Sequence, residues 1–208
     1  MHSNIKLKGL YVLTDERRGE ALQTAVAAAL AGGARLIQYR HKGADVARRE
    51  SEALSLRMLT RKYDALLIVN DDPLLAAAVE ADGVHLGRDD SGIAEARRLL
   101  GAESIIGASC YDSLELARAA VAEGADYVAF GSVYPSPTKS DAVPAPLELI
   151  TAAKRELAVP ICAIGGITPD NAAPVIAAGA DMLAIISAIF SAPDIEQATR
   201  EFIARHTL

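Results

Sequence analysis

The stretch EGADYVAFG, residues 123–131, joins the end of one kind of element to the start of another. Gly124 is the residue that ends a helix most cheaply, because it accepts the left-handed geometry of a C-terminal cap. The apolar run from Tyr127 then reads as a buried strand. Three more fragments share the form: AGGARLIQYR (31–40), EADGVHLG (80–87) and AGADMLAII (178–186). Each sets a small residue or Gly, then a short polar step, directly before an apolar run.

The rest of the chain keeps this rhythm. Apolar runs start near Leu10, Leu36, Leu66, Val84, Ile105, Tyr127, Ile161 and Leu183. Between them lie segments with helical spacing, such as Leu22, Val26 and Leu30, or Leu54 and Met58. Arg57, Arg61 and Lys62 fall where a helix C-terminus favours positive charge. Strands alternating with helices imply parallel strands joined by crossovers. Eight such units in 208 residues predict a compact (β/α)8 TIM barrel over residues 1–208, with its core at about 9–205. A doubly wound open sheet is the rival, but no glycine-rich dinucleotide fingerprint comes after the first strand.

Bulk composition narrows the function. A net charge of −6 leaves no excess of Lys and Arg to neutralise nucleic acid, so any phosphate binding is local. Cys110 and Cys162 lack metal-ligand spacing and read as reduced thiols. The N-terminus lacks the apolar core of a signal peptide and no run of 18 apolar residues offers a membrane span. A cytoplasmic protein with no membrane or nucleic-acid partner is expected; the sequence leaves its oligomeric state open.

Strand C-termini carry the chemistry in such barrels. Here they lead into QYRHK, VNDD, HLGRDD, ASCYD, AIGGIT and IISAI, whereas the strand starts are mostly Gly, Ala, Asp and Val. In extended chain, Gln38, Arg40 and Lys42 share a face and predict a pocket for an anion. Asp71, Asp72, Asp89 and Asp90 end adjacent strands. Asp72 before Pro73 suits a helix N-cap, and Asp89 suits a cap for a helix starting near Ser91. That leaves Asp71 and Asp90 either as further caps or as a pair for a cation such as Mg2+, which takes one or two carboxylates plus waters and phosphate oxygens. Gly165, Gly166 and Ser187 after the last two strands predict a second anion site. His85, inside an apolar strand, reads as a satisfied barrel residue, and no nucleophile–base pair stands out.

Taken together, QYRHK, VNDD, GVHLGRDD, SPTKSDA, AIGGI and ISAI resemble the thiamine phosphate synthase family from about Tyr11 to Phe190. The resemblance implies a transferase that joins an aminopyrimidine methyl diphosphate to a thiazole phosphate, with Mg2+ as cofactor. Its diphosphate leaves first, and the resulting pyrimidine-stabilised carbocation is captured by the thiazole nitrogen. It implies a pyrimidine diphosphate site of Gln38, Arg40, Lys42, Asn70, Ser109 and Lys139, with Arg40, Lys42 and Lys139 stabilising the departing diphosphate. It implies Mg2+ ligands at Asp71 and Asp90, and a thiazole phosphate site at Ser136, Thr138, Gly166, Ile186 and Ser187. The chain departs from the commonest family pattern at His41, Arg88 and Ser136. A related barrel, the thiazole tautomerase, places a catalytic His where this chain has Tyr111; a non-catalytic barrel that binds phosphate ligands is a further alternative.

One segment is oversized. After the sixth strand, FGSVYPSPTKSDAVPAP (130–146) runs far beyond the 2–6 residues usual for such connections. Pro135 and Pro137 restrict it and hold Ser136 extended. This loop, Pro137 included, is expected to touch both substrates.

Overall fold

The computed structural model describes residues 7–88, 90, 92–135 and 143–206. The elements run β1 (Gly9–Leu13), α1 (Gly19–Ala31), β2 (Leu36–Tyr39), α2 (Val46–Lys62), β3 (Leu66–Asn70), α3 (Pro73–Ala78), β4 (Gly83–Leu86) and α4 (Ile93–Leu100). They continue with β5 (Ile105–Tyr111), α5 (Leu114–Ala122), β6 (Tyr127–Phe130), α6 (Leu147–Glu156), β7 (Ile161–Ile164), α7 (Ala172–Ala177), β8 (Met182–Ile185), α8 (Ser187–Phe190) and α9 (Ile195–Arg205). Each strand pairs in parallel with its sequence neighbours, and β8 closes on β1 with Leu10 opposite Leu183. The fold is a (β/α)8 barrel. Every strand starts within one residue of the position expected from the sequence.

Side chains alternate along each strand between two cores. Tyr11, Leu13, Leu36, Leu66, Ile68, Tyr127, Cys162 and Met182 fill the barrel itself. Val12, Ile37, Leu67, Val69, Val84, Ile106, Val128 and Leu183 face outward and pack under the helices, against Leu22, Val26, Leu30, Leu56, Ile150 and Phe202. No helix among the described residues is long and apolar enough to cross a membrane.

The repeat fragments are joints between helix and strand. After α5, Gly124 N donates to Val121 O and Ala125 N to Ala120 O, the paired bonds that satisfy orphan carbonyls at a helix end. Gly124 makes this possible with φ 100°, a conformation that side chains rarely adopt. The same bond pair closes α1, α3 and α7.

The polar step in three of those fragments is an aspartate with a shared duty. Asp82 accepts from Leu67 N at 2.7 Å and from Arg57 Nη1 at 2.6 Å. Asp126 accepts from Ile106 N at 2.7 Å and from Arg97 Nη2 at 2.6 Å. Asp181 accepts from Ile161 N at 2.8 Å and from Lys154 Nζ at 2.7 Å. Each carboxylate thus fastens the start of its own strand to the preceding strand and to the helix before that. In the fourth fragment Arg35 holds the position, and its Nη1 donates to Leu30 O and Ala34 O instead.

Two helix expectations are corrected. Leu54 and Met58 lie outward, 43% and 69% exposed, because α2 turns Glu52, Ala53, Leu56, Arg57 and Thr60 inward. Its two inward charges are tolerated because Glu52 accepts from Tyr39 Oη and Arg57 pairs with Asp82. The helix expected to start near Ser91 starts at Ile93, and its N-cap position is Gly92, not Asp89. Leu22, Val26 and Leu30 are buried as expected.

Candidate active site

The rim of the barrel is built by the segments that leave each strand. Thr14, fully buried just beyond β1, continues the pairing with β2: its N donates to Gln38 O at 2.9 Å, and its Oγ1 accepts from Arg40 N at 2.8 Å. Both Thr14 bonds fix the backbone that presents Arg40. The Arg40 side chain is 15% exposed and lies 3.7 Å from Glu16 on the first rim loop. Lys42, two residues on, is exposed.

Behind that pair stands a supporting cluster. Glu52 on α2 accepts from Gly19 N at 2.9 Å and from Tyr39 Oη at 2.8 Å. His41 turns toward it, its Nε2 3.9 Å from Glu52, while its Nδ1 accepts from Gly43 N. His41 therefore faces away from the rim and braces the turn that carries Arg40 and Lys42.

Beyond the ends of β3 and β4, Asp71 and Asp90 approach each other within hydrogen-bonding reach. Burial, the hydrogen bond to Asp90 and the charge of Asp90 push Asp71 up to about 6 from an ordinary 3.8, and Arg40 and Lys42 pull the other way. Asp71 takes φ 65°, and its N donates to His85 O at 2.8 Å. Asp90 accepts from Gly87 N at 2.6 Å. Asp72 is a helix cap, accepting from Leu75 N at 2.9 Å and from Arg49 at 2.5 Å. Two repelling carboxylates suit a divalent cation. Among the described residues no cluster of three or more His, Cys, Asp or Glu side chains could hold a metal. A cation here would complete its shell with waters or phosphate oxygens, as Mg2+ does.

Deeper in the barrel five side chains form a continuous polar thread. Gln38 Nε2 donates to Tyr11 Oη at 2.7 Å, and Tyr11 Oη lies 2.9 Å from Tyr127 Oη. Tyr127 Oη lies 2.9 Å from His85 Nδ1, and His85 Nε2 lies 2.9 Å from Ser109 Oγ. His85 is thus the satisfied barrel residue expected.

On the far side, Ile186 and Ser187 sit where β8 turns into the short α8, Ile186 half-buried and Ser187 exposed. A Cβ on Gly165 would meet Ser132 Oγ at 2.0 Å, and one on Gly166 would meet Pro135 O at 2.5 Å. These glycines admit the stem of the long loop after β6. The stem is fastened by Val133 N to Ile164 O at 3.0 Å, Tyr134 N to Gly165 O at 3.1 Å and Tyr134 Oη to Asn171 O at 3.0 Å.

Residues 10–189, from β1 into α8, match the family described as thiamine monophosphate synthase. The chain belongs to the thiamine monophosphate synthase family. It is 55% identical to the thiamine-phosphate synthase of Thioalkalivibrio sulfidiphilus over 201 residues, 96% of this chain and 95% of that protein. It is 56% identical to that of Thiobacillus denitrificans over 194 residues, covering 93% and 92%. The solved thiamine phosphate pyrophosphorylase of Pyrococcus furiosus is 42% identical and superposes with a TM-score of 0.86 over 95% of this chain and 94% of that one. By this kinship the chain is a thiamine-phosphate synthase.

Several synthase positions expected from the sequence meet at the rim: Arg40, Lys42, Asp71 and Asp90 form one electrostatic group. Asn70 ends β3, half-buried and in register with His85. Gln38 points into the barrel, on the same face of β2 as Leu36. It is 2% exposed inside the barrel, where its amide nitrogen is committed to Tyr11. The loop stem accounts for the lack of side chains at Gly165 and Gly166. Ser136, Pro137, Thr138 and Lys139, and with them Asp89, lie outside the described residues.

Sequence reasoning missed Thr14, Glu52 and the two interior tyrosines, whose partners lie 13 to 116 residues away. Tyr111, at φ 53°, lies beneath Arg88, whose guanidinium is 4.7 Å from the ring centroid. Cys110 and Cys162 are buried, and burial pushes both thiols up to about 12, so neither serves as a nucleophile.

Proposed function

We propose that this synthase joins 4-amino-2-methyl-5-hydroxymethylpyrimidine diphosphate to 4-methyl-5-(2-hydroxyethyl)thiazole phosphate. The carbon–oxygen bond between the pyrimidine methylene and the diphosphate breaks first, and its electron pair leaves with the diphosphate. The thiazole nitrogen then donates its lone pair to the methylene carbon, giving thiamine phosphate. No general base is required, because the attacking thiazole nitrogen carries a free lone pair.

The observation that carries this reading is the gathering of Arg40 and Lys42 beside the Asp71–Asp90 pair. Charge grows on the diphosphate as it departs, so fixed cations stabilise the transition state more than the ground state. Mg2+ held by Asp71 and Asp90 would neutralise part of that charge. Asn70 and Ser109 would orient the pyrimidine, and Lys139 would add a cation from the long loop. Gly166, Ile186 and Ser187 would receive the thiazole phosphate with Ser136 and Thr138. The loop stem, seated on Gly165 and Gly166, would carry that second group to the rim. The cytoplasm suits the two buried thiols, which stay reduced there.

The test is direct. The protein is incubated with both substrates and Mg2+, and thiamine phosphate and diphosphate are quantified. Equimolar formation of both is expected, with loss when either substrate or the metal is withheld. No product under any metal condition would overturn the reading, and isomerisation of a thiazole without joining would move the protein to the tautomerase class.

A further inference from the structure

We propose that His85 is a positioning residue: Tyr127 fixes its ring as the Nε2–H tautomer, and this makes Ser109 a hydrogen-bond donor toward the substrate. The proposal rests on the reading of Ser109 as part of the pyrimidine diphosphate site. The hydrogen-bond chain beneath it stands on geometry alone.

Counting hydrogens gives the chain its direction. The Gln38 amide nitrogen has hydrogens but no acceptor, so Tyr11 Oη accepts from it. Either tyrosine could donate across the 2.9 Å between their oxygens, but Tyr127 Oη is the one acceptor among the described residues for the Tyr11 hydrogen, so Tyr11 donates. Tyr127 in turn gives its own hydrogen to His85 Nδ1. With Nδ1 accepting, the neutral ring carries its proton on Nε2 and donates it to Ser109 Oγ. The Ser109 hydrogen is left for the mouth of the barrel.

The geometry holds this arrangement in place. Tyr127 fits only because Gly107 opposite has no side chain; a Cβ there would lie 2.0 Å from the ring. The His85 and Tyr127 rings stack at 5.5 Å, and Tyr11 meets Tyr127 edge-on at 6.0 Å. Burial raises both phenols above their ordinary range, so each keeps its one hydrogen. The two ends of the chain are Gln38 on β2 and Ser109 on β5, both on the proposed pyrimidine side. A donating Ser109 selects for an acceptor atom in the ligand, such as a ring nitrogen or a phosphate oxygen, and against an amino group.

The test uses the full-length protein with 15N-labelled histidine. The chain has four histidines, and loss of one set of signals in His85→Asn assigns His85. Two-bond 1H–15N correlations then read its tautomer without substrate. Nε2–H is expected in the wild type and in Tyr11→Phe, where Tyr127 keeps its own hydrogen for Nδ1. In Tyr127→Phe a mixture of tautomers is expected. Turnover of the pyrimidine diphosphate should then fall ~10–100-fold in kcat/KM, the loss of about one or two hydrogen bonds, while KM for the thiazole phosphate holds. An Nδ1–H tautomer in the wild type would overturn the proposal, as would Tyr127→Phe with an unchanged tautomer or unchanged kcat/KM. Should Tyr127→Phe not fold, the wild-type and Tyr11→Phe spectra decide. An Nε2–H signature in a protein that makes no thiamine phosphate would support the hydrogen-bond chain and overturn only the proposed reaction.

Discussion

Replacing Asp71 by Asn should make the metal-free protein more stable while crippling the enzyme. The folded state raises the Asp71 carboxyl from 3.8 to about 6, chiefly through burial and through Asp90. A group whose folded pKa is raised has its full stability below the unfolded value and loses it as pH climbs through the folded one. The penalty therefore opens between about pH 4 and about pH 6. At 1.36 kcal/mol per pH unit, a shift of about two units corresponds to ~3 kcal/mol. Asp71 as a whole residue is exposed although its carboxyl is partly desolvated, so solvent screens most of this and ~1 kcal/mol is the working figure. Urea unfolding should show Asp71→Asn equal to wild type near pH ~4 and about 1 kcal/mol more stable near pH ~7. Mg2+ at ten times its Kd should then raise wild-type stability by about 1.4 kcal/mol and the variant less. A variant destabilised equally at both pH values, or stabilised by Mg2+ as much as wild type, would refute the account of a mutually repelling pair poised for a cation.

The same contacts set further expectations. Asp82→Ala strands the nearly buried Arg57 and the Leu67 N–H, at a cost of about 3–5 kcal/mol. In Asp181→Ala the partner Lys154 is 44% exposed, so the lost Ile161 N–H bond dominates and the cost is about 1–3 kcal/mol; equal losses in urea titrations would contradict the role given to burial. Thr14→Val removes the side-chain bond to Arg40 N and should raise KM for the pyrimidine diphosphate with little change in KM for the thiazole phosphate, measured by steady-state kinetics.

How much was legible depended on how local the signal was. The barrel was readable because each joint is written within a few residues: a cap, a polar step and a buried run, as at Gly124, Asp126 and Tyr127. The rim cations and carboxylates were readable because they come directly after strands. Extended-chain alternation told which face Gln38 takes but not how deep it lies. Its partner, Tyr11, comes from a different strand, and Tyr127 from the opposite half of the chain. Leu54 and Met58 misled for a related reason. Helical spacing marks a stripe, but Glu52 and Arg57 found buried partners and took the inward side. Gly165 and Gly166 announced a close backbone approach, but not that the stem of the loop after β6 makes it.

The three aspartates at the foot of the barrel divide the molecule in a way its symmetry hides. Each binds one helix and the next two strands: α2 with β3 and β4, α4 with β5 and β6, α6 with β7 and β8. Residues 87–92 and 131–146 join one block to the next, and residues 40–45 lead from β2 into the first. These are the couplings, and they bear Arg40, Lys42, Asp90 and the long loop. Such couplings can be exchanged or lengthened without cutting a block, so substrate preference can drift while the staves of the barrel stay as they are.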